Sequence, residues 1–325
     1  MQELLKKEYT DEATGEEYFE LVTFHQSYGY EDFVEGLRPV ITKPVNSRTG
    51  SSGTETVVNG EVRYEIKPGV FLRLCDQART NPSRQFAMVI DEINRGNISK
   101  IFGELITLME ADKRERAKYP VTVTLPYSGE RFSIPLNIDL IGTMNTADRS
   151  LALLDTALRR RFEFIPIMPE PSVLKDVIVT HNDVEIDIVQ MLTVLNKRIE
   201  ALYDRDHTIG HAYLTGIKDF KVEDRFNELK AVFKNKIIPL LEEYFFEDWQ
   251  KIRLVLGDNQ KTDAQKTLQF VHEIHRENDL SILFGGAQEL DQYATRSRFQ
   301  PNPHALDEPQ AYVGIYREKS AVTSG

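Results

Sequence analysis

A single cysteine, Cys75, stands among 325 residues, which excludes an intrachain disulfide and leaves no companion for a cysteine-rich zinc site. Its plain reading is a small buried apolar residue on a helix. No apolar run approaches the roughly 20 residues that span a bilayer. The first residues, Met1-Gln-Glu-Leu-Leu-Lys-Lys-Glu8, are charged and lack the apolar centre of a secretory signal. Basic charge is also scarce: 40 Lys and Arg face 51 Asp and Glu, a net charge of -11. The chain as a whole is therefore not a polyanion-binding surface, and its basic groups are local, as at Arg159-Arg160-Arg161. DNA would be met mostly through a basic surface on another chain or segment. These absences point to the cytoplasm, and length suggests about two domains.

Patterning organises the rest. Phe19 to Phe24 reads as a buried strand that ends in polar and aromatic residues, His25-Gln-Ser-Tyr28-Gly-Tyr30. Asn59-Gly60 between Val57-Val58 and Val62 to Ile66 predicts a hairpin within a Gly-, Ser- and Thr-rich insertion. A helix follows from about Gly69 to Thr80, and Pro82 separates it from the apolar strand Phe86 to Asp91. Asn97 is placed to cap a helix whose apolar residues, from Ile98 to Met109, recur at spacings of three and four. Ser128-Gly129 predicts a second hairpin, and Asn137 to Met144 another buried strand. Pro166, Pro169 and Pro171 then mark a break. Helical patterns follow over Val184 to Tyr203, Arg225 to Phe246 (kinked or broken at Pro239) and Thr262 to Glu277. The expected organisation is an α/β part over 1–168, a helical part over 169–298 and an irregular tail over 299–325.

Three polar clusters stand at strand ends or turns: Asp91-Glu92, Asn145 with Asp148-Arg149, and Arg159-Arg160-Arg161. An apolar strand that delivers two adjacent carboxylates is how P-loop NTPases hold Mg²⁺ and polarise the attacking water. On that reading Asp91 holds the Mg²⁺ shell through water and Glu92 orients or activates the nucleophile. Asn145, at the tip of a neighbouring strand, can hydrogen-bond that water or the γ-phosphate. An arginine after the next helix can reach across a subunit boundary to transition-state charge. Arg159 and Arg160 are favoured for that reach, with Arg161 in support, whereas Asp148 and Arg149 fit an internal ion pair and direct catalysis equally. His25 and His211 have no further ligands at motif spacing and read as packing or hydrogen-bonding residues. Trp249 beside Tyr244-Phe-Phe246 reads as helical-domain core.

Asp91-Glu-Ile-Asn-Arg95, Gly142-Thr-Met-Asn-Thr-Ala-Asp-Arg-Ser150 and Leu154-Asp-Thr-Ala-Leu-Arg-Arg-Arg-Phe162 closely resemble the McrB family of AAA+ motors. Val22 to Phe33, Ile209-Gly-His-Ala-Tyr213 and Ile238 to Phe246 are similar to the same family, so the likeness runs from about Phe19 to Gly257. It implies an AAA+ α/β core with a helical lid, and hydrolysis of ATP or GTP with Mg²⁺. It also implies a ring, usually hexameric, acting with a McrC-type nuclease subunit on DNA. The sequence departs from the family in one respect. No Gly-x-x-x-x-Gly-Lys-Ser/Thr occurs in these residues, and that loop supplies the phosphate cradle, the lysine and the hydroxyl on Mg²⁺. The chain is thus expected to start inside the AAA+ module, without its first strand, and alone to bind nucleotide weakly or not at all. No arginine lies between Ile209 and Gly216 either, where a lid would carry one. Two alternatives remain: a MoxR-type AAA+ chaperone, which carries a similar Asp-Glu-Ile-Asn-Arg string, and a non-catalytic ring subunit that lends its arginines to a loop-bearing partner.

Overall fold

The computed structural model describes residues 2–41, 62–147, 156–274 and 298–317. They belong to two compact units, Met1–Ile165 and Pro166–Gly325, so the division falls at the first residue of the proline cluster.

In the first unit three parallel strands form a sheet: β1 (Phe19–Thr23), β4 (Phe86–Asp91) and β7 (Ile138–Gly142), in the order β1-β4-β7. Every residue from Phe86 to Ile90 is buried, because β4 is central and both faces of the sheet are covered. Phe86, Met88 and Ile90 join the larger core, with Phe24, Phe33, Phe71 and Phe102. Ala87 and Val89 lie in a smaller cluster with Leu5, from the helix Gln2–Glu8. The helix Val70–Thr80 buries Phe71, Leu74, Cys75 and Ala78, one face at helical spacing. Its start is fixed by Gly69, where a Cβ would lie 2.4 Å from the Phe33 carbonyl carbon.

Asn97 caps the next helix as expected, its side chain accepting from the Lys100 N–H at 3.0 Å. The α-helix covers only Ile98–Phe102 and continues as a 3-10 helix, Gly103–Met109. Gly103, at φ +52, is the residue that permits the change. The short hairpin β5 (Val123–Thr124) and β6 (Arg131–Phe132) forms around Gly129, at φ +72. The buried Glu35 carboxylate secures it by accepting from the Tyr127 and Ser128 N–H groups at 2.9 and 3.0 Å.

The first expected hairpin, Val57-Val58 with the Asn59-Gly60 turn, lies outside the described residues, which omit 42–61. β3 (Val62–Pro68) pairs with β2 (Glu35–Ile41). That register joins strands on either side of the insertion. Leu37 sits opposite Ile66 and Pro39 opposite Tyr64, so the ribbon shows one apolar face, with Tyr64 70% exposed. Because that face rests on nothing among the described residues, Tyr64→Ser is expected to shift stability by no more than about 0.5 kcal/mol. Thermal unfolding checks this, and a loss several times larger would mean that the ring is buried in the folded protein.

The second unit is built around the helix Ile188–Leu202, capped by Asp187, whose side chain accepts from the Gln190 N–H at 2.8 Å. Val184–Ile186 is a strand, not the start of that helix. As β9 it pairs with β8 (Val179–His181) across Asn182 and Asp183, at φ +48 and +60. Two positive-φ residues in succession make the turn that suits a two-residue hairpin. Arg225 to Tyr244 is helical throughout, with a π-helical segment, Phe233–Ile237, just before Pro239. The Ile238 N–H reaches back five residues to the Phe233 carbonyl, which absorbs the bond that the proline ring cannot make.

Two further expectations fail here. Thr262 to Glu277 is not a helix: a 3-10 helix, Asp263–Leu268, is followed by β10 (Val271–Ile274), and residues 275–277 lie outside the described set. The residues from 299 onward are not an irregular tail through Tyr316. β11 (Arg298–Pro301) pairs with β10, and the helix Pro309–Tyr316 buries Ala311, Tyr312, Val313 and Ile315. Tyr312 packs edge-on against Phe226, Phe233 and Phe270, and its hydroxyl donates to the Leu306 carbonyl at 3.0 Å. Trp249 packs against this core, as its sequence context suggested. Among the described residues, no helix is long and apolar enough to cross a membrane.

Candidate functional site

Asp91 and Glu92 leave the carboxyl end of β4, the end of a parallel sheet where ligands bind. On one side Thr23 pairs with Asp91; on the other, β7 pairs as far as Ile90 with Gly142. That register sets Thr143 beside Asp91. Its hydroxyl donates to Asp91 Oδ1 at 2.5 Å, and its carbonyl accepts from the Ile93 N–H at 2.9 Å. Glu92 sits in the left-handed region, at φ +53 and ψ +46, a conformation that bulky residues rarely adopt outside constrained sites. The turn is tight: a Cβ at Gly142 would lie 2.9 Å from Ile93 Cδ1.

Asn145 is brought to the same end. Its own carbonyl accepts from the Asn94 side chain at 3.4 Å, and its Oδ1 accepts from the Ala147 N–H at 3.1 Å. The side-chain oxygen thus stabilises the turn, while the amide nitrogen is the group with hydrogens to donate. Asp148 and Arg149, the remaining members of that cluster, lie outside the described residues. Glu92 Oε2 and Asn94 Oδ1 are buried and accept no hydrogen bond. Glu92 has instead an ion-pair contact, 3.1 Å from Arg95 Nε.

This donor set fits a hard divalent cation. Asp91 and Glu92 offer carboxylate oxygens beside a hydroxyl, and the buried Asn94 Oδ1 there accepts no hydrogen bond. Among the described residues no cluster of three or more His, Cys, Asp or Glu could hold a metal unaided. Mg²⁺, which keeps water and takes phosphate oxygens as ligands, is the ion that such a sparse set suits.

The arginines are anchored elsewhere in the same unit. Arg161 is nearly buried, with Nε 3.0 Å from Glu110 Oε1, and Glu110 Oε2 meets Lys113 Nζ at 2.5 Å. The Lys113 hydrogen bond, with the charges of Lys113, Arg161 and Arg160, holds the Glu110 carboxyl below the usual carboxylate range against the effect of burial. A depressed folded-state pKa means that the cluster's stabilisation is present at neutral pH and fades as the pH falls into the acid range. Arg159 and Arg160 are exposed, the Arg159 guanidinium lying 5.8 Å from the centre of the Phe164 ring. His25 meets Tyr28 edge-on, and His211 Nδ1 accepts from the Glu170 N–H at 3.0 Å.

Sequence reasoning assigned no role to Thr143, Arg95 or Glu110. Only the β4–β7 register reveals Thr143, although its place directly after an apolar strand was a usable signal. Thr143→Val is expected to lower stability by about 1 kcal/mol and to slow any chemistry that needs Asp91 held in place, roughly tenfold. Thermal unfolding beside a turnover assay checks both, and unchanged turnover would show that Asp91 does not depend on Thr143.

Two family models match the chain. Residues 5–162 match the AAA domain of the dynein-related subfamily, and residues 187–253 match the McrB alpha-helical lid domain. The chain is 39% identical over 261 residues to the type IV methyl-directed restriction enzyme EcoKMcrB subunit of Escherichia coli K12. It belongs to the McrB family of AAA+ proteins. That match covers 74% of this chain and 50% of the relative, so the chain spans half the relative's length. A second relative, the type II restriction enzyme BsuMI component YdiS of Bacillus subtilis 168, is 28% identical over 256 residues. There the match covers 70% of this chain and 71% of that protein. The three-stranded parallel sheet with its helices is therefore AAA+ core, and the helices within 187–253 are McrB-type lid.

Proposed function

We propose that this chain is the motor subunit of a DNA restriction complex, a McrB-like hydrolase of ATP or GTP. The observation that carries this reading is the convergence of Asp91, Glu92 and Asn145 at the carboxyl end of one parallel sheet, in a chain whose two relatives are restriction components. Bound Mg²⁺ would screen phosphate charge and set the angle of attack. Asp91, fixed by Thr143, would hold that ion through water. Glu92 takes the proton of the attacking water, and Asn145 donates to that water or to the γ-phosphate. Arg159 or Arg160 serves the nucleotide of an adjoining copy, which makes a ring, most simply a hexamer, the working form. A McrC-type subunit supplies the nuclease, and DNA is reached through the wider complex. Both relatives being restriction components favours this over a chaperone role.

The test is Mg²⁺-dependent turnover of ATP and GTP by the protein expressed from its own gene, alone and with its nuclease subunit. Turnover of either nucleotide that requires Asp91 is the expected result. Absence of turnover with both, in every assembly, would overturn the hydrolase reading. One observation favours a second reading: no Gly-x-x-x-x-Gly-Lys-Ser/Thr occurs in these 325 residues. In that case the chain is a ring partner that lends arginines to loop-bearing copies, and it binds nucleotide more weakly than micromolar on its own.

A further inference from the structure

Arg159, Arg160 and Arg161 are consecutive, yet their surroundings differ. The Arg161 side chain is 7% exposed, with Nε beside Glu110. Its backbone N–H donates at 2.9 Å to the carbonyl of Leu158, itself buried in the core. The turn that ends the helix Thr156–Arg159 is therefore tied down at two points, one apolar and one ionic. Glu110 directly follows the 3-10 helix Gly103–Met109, whose Leu108 and Met109 are buried, so the ionic point is rigid too. Arg160 lines the same open cleft as Glu110, Asp112, Lys113 and Arg161. Arg159, by contrast, has its guanidinium over Phe164.

We propose that Glu110 is a positioning residue for Arg160: by holding Arg161 and Lys113 it makes Arg161 a strut and sets Arg160 at the cleft mouth, where it meets the phosphates of an adjoining copy. This rests on the trans-arginine reading above. A planar guanidinium stabilises transition-state charge only when its geometry is fixed, and an arginine at the end of an unsecured turn would hold that geometry for a small fraction of the time. Simple electrostatics predicts the opposite sign. The cleft carries Glu110 and Asp112 against Lys113, Arg160 and Arg161. Removing the Glu110 charge makes it more positive, which favours a polyphosphate. If charge alone mattered, Glu110→Gln would bind nucleotide-bearing neighbours better and turn over at least as fast.

The experiment compares Glu110→Gln, Glu110→Asp, Arg160→Ala and the Glu110→Gln/Arg160→Ala double variant in the assembled, nucleotide-hydrolysing complex, with thermal unfolding of each. Glu110→Gln is expected to lower kcat about tenfold or more with KM within threefold of the parent. Arg160→Ala is expected to lower kcat by at least a hundredfold, and the double variant to be no slower than Arg160→Ala alone. Glu110→Asp, which keeps the charge, recovers at least a third of parental kcat. If Glu110→Gln melts early, that recovery carries the test, and a kcat as low as for Glu110→Gln overturns the proposal. A parental kcat in Glu110→Gln, or losses that multiply in the double variant, overturns it while leaving the trans-arginine reading intact. An inert Arg160→Ala overturns the proposal and leaves Arg159 as the trans arginine.

Discussion

Replacing Glu92 with Gln is expected to lower kcat for ATP or GTP by about 10²-fold or more while the nucleotide stays bound. A positioned carboxylate that accepts a proton in the transition state contributes about 10²–10⁴-fold, and an amide of the same size cannot accept it. The fold has little stake in the exchange. Glu92 has one ion-pair contact, to Arg95, whose side chain is 46% exposed, and exposed pairs contribute about 0–1 kcal/mol. The melting temperature should therefore hold while turnover collapses, and the dissociation constant of the nucleotide should move by no more than a few-fold. Single-turnover kinetics beside equilibrium binding reads both. A Glu92→Gln protein with parental kcat would end the general-base assignment. If that same protein lost turnover on Arg160→Ala substitution, the arginine-lending reading would stand in its place.

The second large effect is one of stability. In the lid unit Asp258 and Lys261 are both buried, with Lys261 Nζ 2.7 Å from Asp258 Oδ1. Burial pushes Asp258 up and Lys261 down, and a dense set of bonds opposes it. The carboxylate also accepts from the Phe270 and Val271 N–H groups at 3.1 and 2.8 Å, and Lys261 Nζ donates to the Leu268 carbonyl at 2.7 Å. Asp258→Ala therefore leaves an ammonium and two backbone donors buried without their acceptor. Breaking a buried pair in this way costs about 3–5 kcal/mol, which for a unit of this size lowers the melting temperature by roughly 10 °C. Exchanging both members for apolar residues, Asp258→Leu with Lys261→Met, should cost less than the single change, since no charge is stranded. Denaturant unfolding of the three proteins decides it. A single variant within 1 kcal/mol of the parent would mean that water reaches the pair.

What the sequence made legible was whatever local pattern determines. β4 was readable because a strand covered on both faces is apolar at every position, and Asn97 because capping needs an oxygen at one place. Asp91, Glu92 and Asn145 were readable as strand-end residues, and the structure gathers them at one sheet end. The failures share a cause, which is distance along the chain. Val271–Ile274 looked helical because nothing near it reveals a partner beginning at Arg298. Tyr312 looked like part of a tail because its neighbours Phe226, Phe233 and Phe270 are remote in sequence. Val184–Ile186 was absorbed into the following helix because its apolar residues also fit that period, and the Asn182-Asp183 turn went unread. Glu110 carried no signal at all, since an acid after a helix is ordinary until Arg161 is seen against it.

The β2–β3 ribbon has a practical consequence. Its last pair, Ile41 opposite Val62, brings the two ends of the intervening segment to neighbouring points on one sheet. Residues added between two such fixed ends cost little, since doubling the length of a flexible connection adds only about 0.6 kcal/mol. A fluorescent reporter or an affinity tag placed between those two residues would therefore leave the strands around Asp91 undisturbed, and so offers a handle for testing in living cells whether the proposed assembly forms.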